Sequence, residues 1–193
     1  MDRRLQANRT VARWVAEVVG GQPTARRYHN EEDPNQYIDI ATFLNRPQWG
    51  VTSYATLGLS DVPIPSRNNP PLGVELVGAC ASAAHDYPKI LGEIAFRAQA
   101  NGRKCLPDEI FEDVVPAGLS TTMRHAMLMN PFLWEDEALA SRVIDYKTVA
   151  WLLAVPISEA ERQSVISHGP DGLLNLFEEI QIDIFNPNRP SAL

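Results

Sequence analysis

The chain has 193 residues, is 45% hydrophobic and 21% charged, and carries a formal net charge of −7. These are the proportions of a folded globular protein, long enough for one substantial core and short for two. The negative balance opposes binding to nucleic-acid phosphates and favours basic partners.

Val11, Trp14, Val15, Val18 and Val19 recur at helical offsets, and Gly20-Gly21 followed by Pro23 ends the pattern. An amphipathic helix over 3–19 is expected, with Trp14 in the core. Its basic start lacks the apolar stretch of a signal peptide, because Arg13 and Glu17 interrupt it. Residues 22–35 are polar, broken by prolines and without a period, so an irregular loop is expected. Within it His29, Glu31, Glu32 and Asp33 are the one cluster with metal-ligand or acid/base chemistry, although the glycine-turned spacing of a calcium loop is missing.

Tyr37 to Phe43 and Val51 to Leu57 have strand composition, and Arg46-Pro47-Gln48-Trp49-Gly50 between them reads as the turn of an antiparallel hairpin. Pro63, Pro65, Pro70 and Pro71 then predict a long exposed loop over 62–71. Val74 to Cys80 is a third strand, and Tyr87, Ile90, Leu91, Ile94, Ala95 and Ala98 mark a helix ending at Asn101-Gly102. Asp86, beside His85, suits the start of that helix as an N-cap or first-turn charge.

Thr121 to Met129 resembles a strand, 131–137 an apolar-acidic loop, and Tyr146 to Ile157 a buried strand. The uninterrupted apolar run there, Val149 to Ile157, falls well short of the ~20 residues a membrane-spanning helix needs. Ser158 with Glu161 three residues on is a capping box that starts a short helix, and His168-Gly169 ends it. The resulting fold class is α+β, a mixed and mostly antiparallel sheet flanked by helices, in a single domain over 1–193.

Catalytic signatures are missing. Ser60 and Ser120 follow a glycine but lack the second glycine of a nucleophile elbow, and there is no phosphate-binding or dinucleotide loop. Cys80 and Cys105 cannot build a disulfide framework and are expected to be free, buried thiols of a cytoplasmic protein. No cofactor is expected. The residues with the composition of a protein-binding surface are Trp134, Glu135, Asp136, Phe177, Glu178, Asp183 and Phe185, aromatics beside carboxylates that would suit a basic protein partner.

Three segments carry a family resemblance: Val51-Thr52-Ser53-Tyr54-Ala55-Thr56-Leu57-Gly58-Leu59-Ser60-Asp61, Gly73-Val74-Glu75-Leu76-Val77, and Leu152 to Arg189 with Pro156-Ile157-Ser158-Glu159-Ala160-Glu161 and Ile182-Asp183-Ile184-Phe185-Asn186-Pro187-Asn188-Arg189. In these the chain resembles the suppressor-of-fused (Sufu) domain family, over about Tyr37 to Pro190. The resemblance implies a protein-binding module without catalysis. Stand-alone bacterial members look like immunity proteins that neutralise toxins, for which a basic toxin is the expected partner. The competing expectation is a metal-dependent or hydrolytic enzyme using His29, Glu31, Glu32 and Asp33.

Overall fold

The computed structural model describes residues 3–64, 70–134 and 138–193. Helix α1 (Arg3–Val19) opens the chain, followed by β1 (Thr24–His29), β2 (Tyr37–Leu44), β3 (Val51–Leu57), a 3-10 turn at Leu59–Asp61, and β4 (Leu72–Ala81). Then come α2 (Pro88–Asn101), β5 (Ile110–Phe111), β6 (Met123–Met129), β7 (Arg142–Ile144), β8 (Lys147–Ser158), α3 (Glu159–His168) and α4 (Pro170–Glu179). The strands form one mixed sheet in the order β1-β2-β3-β4-β8-β6-β5, with β7 pairing a free stretch of β8. Every pairing is antiparallel except the central one, where β4 and β8 run parallel from Leu72↔Thr148 to Val77↔Leu153.

β8 is buried on both faces, which explains its nearly unbroken apolar sequence. Val149, Trp151, Leu153 and Val155 point to one side and join Val11, Trp14 and Val15 of α1. Leu152 and Ala154 point to the other and join Tyr87, Ile90, Leu91 and Ile94 around α2. A third cluster sets Leu173 and Phe177 of α4 against Met127 and Ile157. Trp14 and Trp151 meet edge to face, 5.7 Å between centroids.

One close approach fixes how α2 docks. Tyr87 stacks on Tyr54 and its hydroxyl donates to the Ala154 carbonyl, while a Cβ on Gly78 would lie 2.4 Å from that hydroxyl. Gly78→Ala must therefore displace the ring from a packed core, and should cost about 1–3 kcal/mol in a thermal unfolding measurement.

The structure corrects the expected loop over 22–35. Residues Thr24–His29 form the edge strand β1, paired from Thr24↔Thr42 to His29↔Tyr37. Nearly all of its side chains are exposed, so it has no hydrophobic period to read. It is held instead by backbone pairing, by Arg27 bound through Nε to Asp39 at 2.8 Å, and by the Arg27 guanidinium 3.9 Å above the Tyr37 ring. β5 and β7 are also strands that the sequence reading passed over, being two and three residues long. Asp86 does not cap α2 through its side chain; it pairs with Lys89 at 2.9 Å. The expected 62–71 loop is irregular at both described ends, its centre lying outside the described residues.

Candidate functional site

The segments most distinctive in sequence converge on two buried charge clusters. In the first, Glu75 of β4 is fully buried under the turn that follows β3. Its Oε1 accepts from the Gly58 and Ser60 amides at 2.9 and 3.0 Å and from the Ser60 hydroxyl at 2.7 Å. Its Oε2 accepts from the Thr56 hydroxyl at 2.6 Å and the Leu59 amide at 3.2 Å. Gly73 permits this wrap, since a Cβ there would sit 2.1 Å from the Ser60 carbonyl oxygen. Burial pushes the Glu75 carboxyl upward, and the donated bonds offset only part of that.

Lys147, also buried, extends the cluster. Its Nζ donates to the Ser60 hydroxyl at 2.8 Å, Asn8 Oδ1 at 2.9 Å and Asp61 Oδ1 at 2.7 Å. Asp61 also receives Arg4 Nε at 2.6 Å and the Tyr146 hydroxyl at 3.1 Å. Burial alone would raise Asp61, but the bonds from Lys147, Asn8 and Arg4 outweigh it and hold the carboxyl below its usual value. The cluster ties α1, the β3–β4 connection and β8 together.

The second cluster closes the C-terminus. Ser158 and Glu161 form the expected capping box at α3. Glu161 does more than cap, because it is fully buried and accepts from Arg189 Nη1 at 2.6 Å, Arg189 Nη2 at 2.9 Å and the Ala192 amide at 2.8 Å. Arg189 Nη2 also donates to the Pro156 carbonyl, and the guanidinium lies 5.0 Å from the Phe177 ring centroid. The sequence signature around these residues is therefore scaffold: each polar group is consumed by its neighbours.

Five of the seven sequence-proposed contact residues lie within the described residues. Trp134 is half-buried against the α1-side cluster, with an indole N–H that finds no acceptor. Glu135 and Asp136 lie outside the described residues. Phe177 is buried at 7% exposure beneath Arg189, so it is core and not a surface anchor. Glu178 and Asp183 are exposed and Phe185 is half-buried. Asp183 Oδ1 accepts from the Phe185 amide at 3.2 Å, and the Phe185 carbonyl accepts from Ala81 at 2.7 Å, which fastens this segment to the end of β4.

The side chains of the His29 loop are held by local turn contacts. His29 Nδ1 lies 3.1 Å from the Pro34 carbonyl, and Asp33 Oδ1 accepts from the Asn35 amide in a local turn. Among the described residues no group of three or more His, Cys, Asp or Glu side chains is placed to hold a metal ion. A His–carboxylate pair that the sequence did not reveal joins His125 Nε2 to Glu159 at 2.7 Å. The Asp113 amide donates to His125 Nδ1 at 3.0 Å, which fixes the proton on Nε2, so both ring nitrogens serve the fold. Cys80 and Cys105 are free and buried, and burial pushes each thiol up to about 12.

Sequence reasoning treated Trp49 only as part of a turn. It is 87% exposed at the tip of the β2–β3 hairpin, with Leu44 of the same hairpin at 70%. A large aromatic between Pro47 and Gly50 was the available signal, since turn positions seldom recruit such side chains for local reasons. Among the described residues no helix is long and apolar enough to cross a membrane.

The family described as Suppressor of fused protein (SUFU) matches residues 34–190. The Immunity protein YqcF of Bacillus subtilis (strain 168) is 40% identical over 190 residues, covering 97% of this chain and 98% of that protein. The crystal structure of a SUFU homologue from Neisseria gonorrhoeae superposes with a TM-score of 0.68 at 16% identity, over 98% of each chain. A chain of the Sufu–Fu complex gives 0.66 at 15% identity, over 96% of this chain and 92% of that one. Drosophila Suppressor of Fused gives 0.60 at 17%, over 94% of this chain but 50% of the larger protein. The solved structures share the α+β fold, and with the sequence match they establish that the chain belongs to the suppressor of fused family.

Proposed function

We propose that this chain is a cytoplasmic immunity protein, a non-enzymatic module that binds and neutralises a toxin. The observation that carries the reading is the near full-length similarity, at 40% identity, to the Immunity protein YqcF. The internal chemistry agrees with it. Glu75, Lys147, Asp61, Glu161 and Arg189 are each committed to structural hydrogen bonds, and His125 is held by both nitrogens. A surface of net charge −7 speeds encounter with a basic toxin and repels nucleic acid.

The test is co-expression in a sensitive host with the product of the reading frame beside this chain's gene. Growth should be restored, and the two proteins should co-purify as a stoichiometric complex. Undiminished killing, with no complex recovered although both proteins accumulate, would reject the immunity role.

A further inference from the structure

We infer that the end of the sheet where the β2–β3 hairpin meets the C-terminal segment is the surface that grips a basic protein partner, with Trp49 as its anchor. The inference rests on the immunity reading and specifies where it acts. Tryptophan is the residue type most enriched at binding hot spots, and burying its ring removes a large apolar area from water. Left at 87% exposure, with Leu44 of the same hairpin at 70%, it is a standing cost in solution that partner burial would remove.

The tip is already ordered, so little entropy is lost on docking. The Arg46 amide donates to the Val51 carbonyl at 2.9 Å and the Gly50 amide to Asn45 Oδ1 at 3.1 Å. The Ser53 hydroxyl closes on the Arg46 carbonyl at 2.8 Å. Adjacent residues at the end of β4 join the hairpin to the C-terminal segment: Ser82 donates to the Gly50 carbonyl at 2.8 Å and Ala81 to the Phe185 carbonyl at 2.7 Å. The turn that carries Trp49 is therefore joined through Ser82 and Ala81 to the backbone of Phe185, two residues from Asp183.

Charge selects the partner. Between Pro170 and Asn188 the sequence contains Asp171, Glu178, Glu179 and Asp183 and no Lys, Arg or His. The nearest cation on the hairpin, Arg46, is turned away toward the end of α1, with its Nε 3.3 Å from where a Cβ on Gly20 would lie. An apolar anchor joined by backbone hydrogen bonds to a segment with four carboxylates and no cation fits a partner that offers an apolar pocket rimmed by Lys and Arg.

The experiment uses the full chain and, as probe, the purified product of the reading frame beside its gene, inactivated by substitution. Of the four tryptophans, Trp14 and Trp151 are buried and Trp134 is half-buried, so acrylamide quenching reads mainly Trp49, with Trp49→Phe as the reference. Binding should shield that fluorescence. Trp49→Ala should weaken the complex about 30-fold or more, Trp49→Phe should recover much of the loss, and Asp183→Asn should slow association and flatten its salt dependence. The unfolding midpoint of Trp49→Ala should match the parent, since the ring touches little.

Unchanged affinity in Trp49→Ala with Trp49 still quenchable would overturn the surface while leaving the immunity role intact. So would hydrogen-exchange protection confined to β1. A dimer of the chain alone that dissociates in Trp49→Ala would assign the patch to self-association instead. If the active toxin is neither bound nor neutralised, the immunity role and this surface fall together.

Discussion

Glu75→Leu is expected to lower the stability of the folded chain by about 4 kcal/mol or more, read as the shift in urea midpoint at constant slope. The leucine matches the carboxylate in bulk but accepts nothing, so the Gly58, Leu59 and Ser60 amides all lose their partner inside the protein. Each stranded donor costs about 1–3 kcal/mol, and Lys147 loses an anion across the Ser60 hydroxyl. Glu75→Gln should cost roughly half as much. Its amide oxygen can serve the side that receives Gly58 and Ser60, while its NH2 faces the Leu59 amide, where two donors oppose each other.

The pH dependence carries a sign. Glu75 is raised by burial, and a raised acid contributes fully below its unfolded value and loses the contribution as pH rises through the folded one. Wild type should therefore exceed Glu75→Gln by most at acidic pH, and the gap should narrow as pH rises. Asp61 is lowered, so its share is present above the unfolded value and disappears on acidification; it is common to both proteins and cancels in the comparison.

The elements that carry an apolar face were legible in the sequence. α1 extends over Arg3–Val19 because its valines and Trp14 repeat with the helix, and α2 ends where Gly102 takes a left-handed conformation. β8 was readable from its length and composition. β1 was not, because an exposed edge strand is specified by the backbone of its neighbour, which no periodicity in Thr24–His29 records. The same limit hid the meaning of the signature segments. Ser158 and Glu161 announce a cap through their spacing, but the partner of Glu161 is 28 residues away, and Glu75 and Lys147 are farther apart still. Phe177 shows the reverse error: flanking glutamates made it look like a surface aromatic, whereas helical phase turns its ring inward beneath Arg189. Trp49 was visible as a residue, yet its exposure became apparent only once the hairpin tip was placed beyond the packed layers.

Arg189→Met should cost about 3–5 kcal/mol and loosen the C-terminus before the rest of the fold. The substitution keeps much of the aliphatic bulk over Phe177 but leaves the Glu161 carboxylate buried with only the Ser158 and Ala192 amides donating to it. An anion stripped of its counter-ion in the interior is the expensive outcome, more so than losing both partners. The double variant Glu161→Leu with Arg189→Met should therefore be more stable than Arg189→Met alone, even though it gives up the capping box. Arg189→Lys should fall between wild type and Arg189→Met, because an ammonium cannot span both Glu161 oxygens and reach the Pro156 carbonyl. Urea unfolding gives the order, and hydrogen exchange gives the place: opening should appear first in α4 and the 182–190 segment that Arg189 pins to β8. If Arg189→Met unfolds with the wild-type midpoint, Arg189 and Glu161 do not hold the C-terminal segment in place. The acidic side of the Trp49 surface would then need another support, since Asp183 and Phe185 are positioned by that same segment.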